Sequence, residues 1–432
     1  MMRNKSCSLF LSLMMSALVI TSATGAFAAT ETYTVINAFN SADGAEPMDG
    51  LIFDQAGNLY GTTLSGGLGK GVVFELSQNA GTWTETVLHE FGSQSNDGAN
   101  PYDKLIFDTA GNLYGTTRNG GTHGAGVVFE LSPATGGAWT ETVIHNFGSI
   151  ANDGTSPISG LSIDAAGNLY GTTFSGGTAK NCPLSGKLYG CGTVFELSPA
   201  TGGNWTYSVI HNFSTVNDGY FPVAGVTPGP SGYLYGEAAY GATYGQGLLY
   251  ELIPGANGTW TEQGLHVWGV VHDGRHDGGY PYSSVVFDSS GFMYGSSNVG
   301  GTHGDLGTVF KFAQGNGGWG EMSVHGFGDP PSGIYPESSL WIDGANNLYG
   351  TTKEGGTSGN GTVYELTPTS DGYLYKPLYY FTGAADGGLP TGSLVMDSSG
   401  NLYGTAPDGG DASHCTGQPV KGCGVVFMIS AQ

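Results

Sequence analysis

Positive charge is scarce in this chain: 12 Lys and Arg stand against 35 Asp and Glu, a net charge of −23 over 432 residues. A surface of that sign repels nucleic acid and anionic membranes, which leaves neutral glycans or cations as the easier partners. After residue 28 no apolar run is long enough to span a bilayer. No window carries a convincing helical period, which argues against a helical fold. The Gly-x-Ser-x-Gly elbow, His-Glu-x-x-His, a phosphate-cradling loop and a dinucleotide fingerprint are missing too, and with them the enzyme classes those motifs mark. Cysteine is limited to five residues, and Cys-x-x-Cys does not occur.

The first 28 residues have the pattern of an export signal. Arg3 and Lys5 precede an apolar run from Leu9 to Ile20, and Ala26-Phe27-Ala28 supplies a small-residue cleavage site. Its removal takes away two cations and leaves 10 against 35 acids, or −25, on a single mature domain, 29–432. The expected location is outside the cytoplasm, secreted or periplasmic, where disulfides persist. Cys182 and Cys191 form one close pair, Cys415 and Cys423 another, in corresponding parts of two repeats. Local bridges Cys182–Cys191 and Cys415–Cys423 are expected, with metal binding the weaker reading.

The chain carries one phrase seven times. GNLYGTT stands at 57–63 and 111–117, and variants begin at Gly167, Gly232, Gly291, Asn346 and Gly400. The intervals are 54, 56, 65, 59, 55 and 54 residues, a period that signals a repeat architecture. In the second copy, KLIFD (104–108), NLYGTT (112–117), VVFELS (127–132) and WTETVIHNF (139–147) read as four short strands between Gly, Asn, Asp and Pro clusters. Four antiparallel strands repeated seven times predict an all-β, seven-bladed β-propeller. A β-solenoid is the rival, but its coils are normally shorter and lack paired hairpins.

Repeat seven ends after its third strand, VVFMIS (425–430), while the mature chain opens with TVINAF (34–39), which aligns with TVIHNF (142–147). The N-terminal strand is therefore expected to complete the last blade, closing the ring and removing an open sheet edge. The combination GNLYGTT, GGT and GVVFELSP resembles the GloVer tandem-repeat family of secreted bacterial proteins over essentially the whole mature chain. That resemblance implies a repeat scaffold and brings no catalytic residues with it.

Loops between second and third strands, and links from a fourth strand to the next blade, are expected on one face. The departures from the repeat fall there. Arg118 and His123 lie in the loop of blade two, His303 in that of blade five. The link 268–282 doubles the usual Asp-Gly element and gathers His272, Arg275, His276, Tyr280 and Tyr282. Tyr102, Tyr220, Phe221 and Tyr335 lie in other links, Tyr240 and Tyr244 in the loop of blade four. Flat rings beside polar groups suit sugar faces, although such rings also fill space between blades. His89, His145, His211, His266 and His325 share one position in the fourth strand and read as structural.

The favoured expectation is a secreted protein that binds carbohydrate on this face, with a polysaccharide or glycan as partner, no nucleic acid or membrane insertion, and a monomeric state. The first alternative is a polysaccharide-degrading enzyme, a uronate lyase before a glycoside hydrolase. In it Arg275 neutralises the sugar carboxylate, His272 or His276 acts as base and Tyr280 as acid, with Arg118 and His123 completing the site. The second alternative is an extracellular structural or protein-interaction scaffold. No cofactor is expected. Asp43, Asp97, Asp153, Asp218, Asp277 and Asp386 offer oxygen ligands for calcium, but recurring beside glycine they read first as turn formers.

Overall fold

The computed structural model describes residues 31–430, except 180–181, 183–189, 215–216, 273–274, 302, 316–317, 329–330 and 416–420. The segment read as an export signal lies outside the described residues. Each repeat forms a four-stranded antiparallel sheet, and seven such sheets make the propeller. Blade two runs outward from the axis as Ile106–Phe107, Leu113–Gly120, Val127–Pro133 and Trp139–Asn146.

Local chemistry explains the blade. Asp108 Oδ1 accepts from the Ala110 and Asn112 N–H groups, and Oδ2 from Asn112 Nδ2 and the Tyr114 hydroxyl. That network ties the first hairpin shut, and Asp54, Asp164, Asp343 and Asp397 repeat it. The glycine of GNLYGTT admits the third strand's aromatic ring: a Cβ on Gly115 would lie 2.5 Å from Phe129 Cζ. The apolar core lies between blades. Tyr60, Val73 and Phe91 of blade one, for example, pack with Leu105, Leu113 and Phe129 of blade two.

Two belts join neighbouring blades. Near the axis, the first Thr after the repeat glycine, or its Ser equivalent, donates to a carbonyl of the next blade. Examples are Thr62 to Asp103, Thr116 to Ser159, Thr172 to Ala224 and Ser296 to Ser338. Blade four departs from the pattern with Glu237, which is fully buried, and neither of its oxygens has a hydrogen-bond partner. Burial pushes this carboxyl well above the usual range, the nearby Trp268 indole offsetting part of the effect.

At the periphery, four of the five fourth-strand histidines read as structural pair with the link aspartates, for example His145 with Asp153 at 3.2 Å and His266 with Asp277 at 2.9 Å, whereas His325 meets a link with Ser332 in that place. The same aspartates cap backbone N–H groups, Asp153 at Ser149 and Asp277 at Gly269. A residue of the next blade's outer strand closes each junction. It is Tyr207 over His145, Tyr375 over His325 and Tyr33 over Tyr379, all stacked, or a glutamate at the other four.

The ring closes as expected. Thr32–Ala38 pairs antiparallel with Val425–Ser430, Tyr33 stacks on Tyr379 of blade six at 3.7 Å, and Phe39 is fully buried against Phe74 of blade one. Both disulfides are the local ones, Cys182–Cys191 and Cys415–Cys423.

Deleting residues 31–39 removes Tyr33 and Phe39, at about 3–5 kcal/mol each by analogy with core truncations, and bares the edge of Val425–Ser430. The expected outcome is a lower, broader melt with concentration-dependent self-association, read by calorimetry and light scattering. A melt that stays sharp and monomeric would contradict closure. A second expectation concerns pH. Burial, reinforced by Asp43, pushes the Glu85 carboxyl up to about 7 despite the hydrogen bond from Asn37. The folded state then keeps a proton that the unfolded chain releases near 4.5, so stability falls as pH rises from about 4.5 through about 7. Glu85→Gln should lose about 1–3 kcal/mol less than the parent between pH 5 and pH 8, measured by denaturant melts.

Candidate binding site at the channel mouth

In every blade the incoming link pairs with the loop between second and third strands, as at Gly98 with Gly120, Gly154 with Gly176, Tyr220 with Tyr240, and Gly333 with Gly355. Both loop classes therefore open on one face, around the axial channel. Each link turns at a residue that precedes proline and has positive φ: Glu46, Asn100, Ser156, Phe221, Tyr280, Tyr335 and Leu389, between 49° and 59°. Non-glycine residues and pre-proline residues both disfavour this region.

Two contacts impose it. The backbone N–H donates to the preceding blade, as Tyr280 to Gln246 O at 2.8 Å and Tyr335 to Leu306 O at 2.9 Å. The proline then seats against a glycine of that blade, where a Cβ on Gly307 would lie 2.3 Å from Pro336 Cδ. Strain of this kind costs about 1–3 kcal/mol per residue and tends to collect at functional sites. The backbone is constant around the ring while the side chain it presents changes from blade to blade.

Inside this mouth lies a cavity of about 830 Å3. One side is acidic, with Glu46, Asp49, Asp103 and Asp408. Asp49 and Asp103 are neighbouring buried carboxyls that act on each other. Burial, and then repulsion from Asp49, raises the Asp103 carboxyl well above its ordinary range. Burial also works against ionising Asp49, but Asp103, Lys104 and the Ser393 and Gly50 N–H groups hold it below. The two carboxyls are thus pushed in opposite directions. Gly160 N–H donates to Asp103, and Ser393 N–H to Asp49 at 3.0 Å, so the pair also ties blades one and two to their outer neighbours.

Two tyrosines line the same cavity, Tyr102 of blade two and Tyr282 of blade five, together with Glu337, whose ion pair with Lys353 measures 3.2 Å. The Tyr282 hydroxyl bonds that of Tyr240 at 2.9 Å, and Tyr240 in turn faces the rings of Tyr280 at 5.3 Å and Tyr220 at 6.1 Å. Burial first, and then the Tyr240 hydroxyl, raise the Tyr282 phenol above its ordinary value, so it is neutral near pH 7.

The residues singled out in the sequence thus divide. Tyr220, Phe221, Tyr240, Tyr280 and Tyr282 come together in one cluster, and Tyr102 joins Tyr282 at the cavity wall. Phe221 is a correction. Its ring is 2% exposed and stacked on Phe174, because the link that carries it folds inward against blade three, so it supports the site without offering a face. Tyr220 is likewise buried in that core. Tyr244 is exposed at 54%, Tyr335 holds a strained corner, and His303 is exposed on its loop.

Val271–His272 and Arg275–His276 pair as a small hairpin inserted before Asp277, which keeps the scaffold role of the other link aspartates. His276 Nε2 approaches Asp305 at 3.9 Å, and its Nδ1 is buried without a hydrogen-bond partner. Arg118 is exposed, and His123 bonds its neighbour Thr122 at 2.8 Å. Neither is hydrogen-bonded to His276 or Tyr280. The sequence reading overlooked the Asp49–Asp103 pair. Its signal was present: only MDGLIFD and YDKLIFD carry a carboxylate at a position that holds Ser, Ala or Gly in the other repeats.

The pair generates a directional expectation. Asp103→Asn removes the carboxyl whose ionisation burial and Asp49 oppose, and should leave the melting temperature at pH 7 nearly unchanged. Asp49→Asn weakens acceptance from the Ser393 and Gly50 N–H groups and should cost about 1–3 kcal/mol. Equal losses in denaturant melts would refute this difference between the two carboxyls.

Among the described residues no helix is long and apolar enough to cross a membrane. The chain is similar in fold to the extracellular domain of a putative hybrid two-component system from B. thetaiotaomicron. The match has 12% identity and a TM-score of 0.53, and it covers 88% of this chain and 39% of that one. This chain therefore spans about two fifths of that domain. A putative 6-phosphogluconolactonase from Bacteroides fragilis matches at 14% identity and a TM-score of 0.49, over 87% and 88% of the two chains. At these identities the likeness concerns the fold alone. No curated protein matches the chain. The Gloeobacter/Verrucomicrobia repeat model matches residues 23–185 and 182–418. With its repeat carried through the whole ring, the chain belongs to the Gloeobacter/Verrucomicrobia repeat family.

Proposed function

We propose that this is an exported recognition protein that binds a neutral carbohydrate at the channel mouth. The observation that carries the reading is the wall formed by Tyr102 and Tyr282 beside the Glu337–Lys353 pair, over a cavity of about 830 Å3. Neutral phenols present flat apolar faces and hydroxyl donors together, which suits the C–H face and rim hydroxyls of a pyranose. The acidic side disfavours polyanionic chains and accepts hydrogen bonds from sugar hydroxyls. Export is supported by the leader pattern and the two disulfides.

The test is size-exclusion chromatography and calorimetry against a panel of neutral and uronate-containing polysaccharides. Co-elution with a neutral polymer of unchanged length is the expected result. Tyr282→Ala and Tyr102→Ala should each weaken that binding about tenfold or more, about 1.4 kcal/mol, with melting temperatures little changed. Shortening of a uronate polymer would replace this reading by a lyase, with His276 the first residue to mutate. Failure to bind across the panel would leave the scaffold reading.

A further inference from the structure

The junction of blades one and two gathers more metal-ligating chemistry than its part in the fold requires. His89 and Asp97, from the outer strand of blade one and the link after it, meet Glu141 on the outer strand of blade two. His89 Nε2 lies 3.3 Å from the Asp97 carboxylate and 3.8 Å from Glu141 Oε2. One ligand atom from each side chain falls within 4.8 Å of the other two, and among the described residues no other such trio reaches that spacing. The three side chains are 8, 1 and 3% exposed. Glu141 Oε1 is closed off from solvent and has no hydrogen-bond partner.

Asp97 is held in place: Gly92 N–H donates to its Oδ2 at 2.6 Å, and both of its oxygens lie 3.3 Å from His89 Nε2. Two carboxyl groups and one imidazole, buried together with an oxygen unsatisfied, make an unfavourable site unless positive charge enters it. The next junction removes the problem differently: Tyr207 stands where Glu141 would, and its ring stacks on His145.

We propose that His89, Asp97 and Glu141 bind one divalent transition-metal ion, of which Zn2+ is the best fit, and thereby cross-link blades one and two. Ligand atoms about 2.0–2.2 Å from a tetrahedral ion stand about 3.3–3.6 Å apart, so the observed separations require only small side-chain movements. A nitrogen ligand beside carboxylate oxygens favours Zn2+ over Ca2+, which takes six to eight oxygens. The backbone bond to Asp97 supplies the orienting contact from outside the ligand shell that such sites require. The fourth position is left for water.

The experiment uses the intact protein after chelator treatment, titrated with Zn2+ by calorimetry and with Co2+ by visible absorption. One Zn2+ per chain is expected, with a higher melting temperature and Co2+ bands typical of tetrahedral nitrogen and oxygen ligands. Glu141→Gln should weaken Zn2+ binding about 100-fold or more and abolish the bands, while Glu262→Gln at another junction leaves both intact. Absence of stoichiometric Zn2+ binding would overturn the proposal, as would binding that survives Glu141→Gln, which would place the ion on surface histidines. Should Glu141→Gln not fold, the parent Co2+ spectrum decides: octahedral, oxygen-only bands overturn the site.

Discussion

Pairing of the first strand with the last is the constraint on which the other contacts depend. A blade has no core of its own, because its apolar surfaces face the neighbouring blades and are buried only when a neighbour is present on each side. Thr32–Ala38 supplies the outer strand of blade seven, and its side chains reach further. Tyr33 stacks on blade six, Phe39 packs on blade one, and Asn37 bonds Glu85. One strand from the chain start therefore joins three blades, and every other interface inherits its fixed geometry.

Within the closed ring the same backbone contact is satisfied by different chemistry at each junction. The axial belt uses a hydroxyl donor in six blades and the buried Glu237 in blade four, where Trp268 also replaces the usual Phe. The peripheral junctions use a stacked tyrosine at three places and a glutamate at four. Tyrosine spends its hydroxyl on local acceptors and adds no charge. Glutamate adds a carboxyl that must hold a proton or meet a cation in a low-dielectric site. That choice makes some junctions responsive to pH or to metal and others indifferent.

The channel mouth follows from the same repetition. Seven pre-proline corners at positive φ are fixed by a backbone hydrogen bond and by a proline seated on a glycine, so the frame tolerates any side chain that can bear the strain. Glu, Asn, Ser, Phe, Tyr, Tyr and Leu occupy it in turn. Glu46, Asp49, Asp103 and Asp408 come from blades one, two and seven, whereas the linked rings of Tyr220, Tyr240, Tyr280 and Tyr282 come from blades four and five. An asymmetric surface on a near-symmetric scaffold can recognise one ligand in one orientation.

The blade count, the four strands of each blade, the two staples and the closing strand were legible in the sequence, although the innermost strand of blade two is only Ile106–Phe107 where 104–108 was expected. Each depends on contacts within one repeat or between repeats at a constant offset, and such contacts leave a periodic trace. The cluster of Tyr220, Tyr240, Tyr280 and Tyr282 was legible as a set of candidates, but not as a set of neighbours. The inward turn of Phe221, the opposed shifts of Asp49 and Asp103, and the meeting of His89 and Asp97 with Glu141 were not legible as contacts. These involve residues from adjacent blades, some about 50 apart in the chain, whose side chains converge only once the ring sets the angle between sheets. Periodicity reports what every blade shares; convergence of unlike side chains across a junction is decided by the tertiary structure alone.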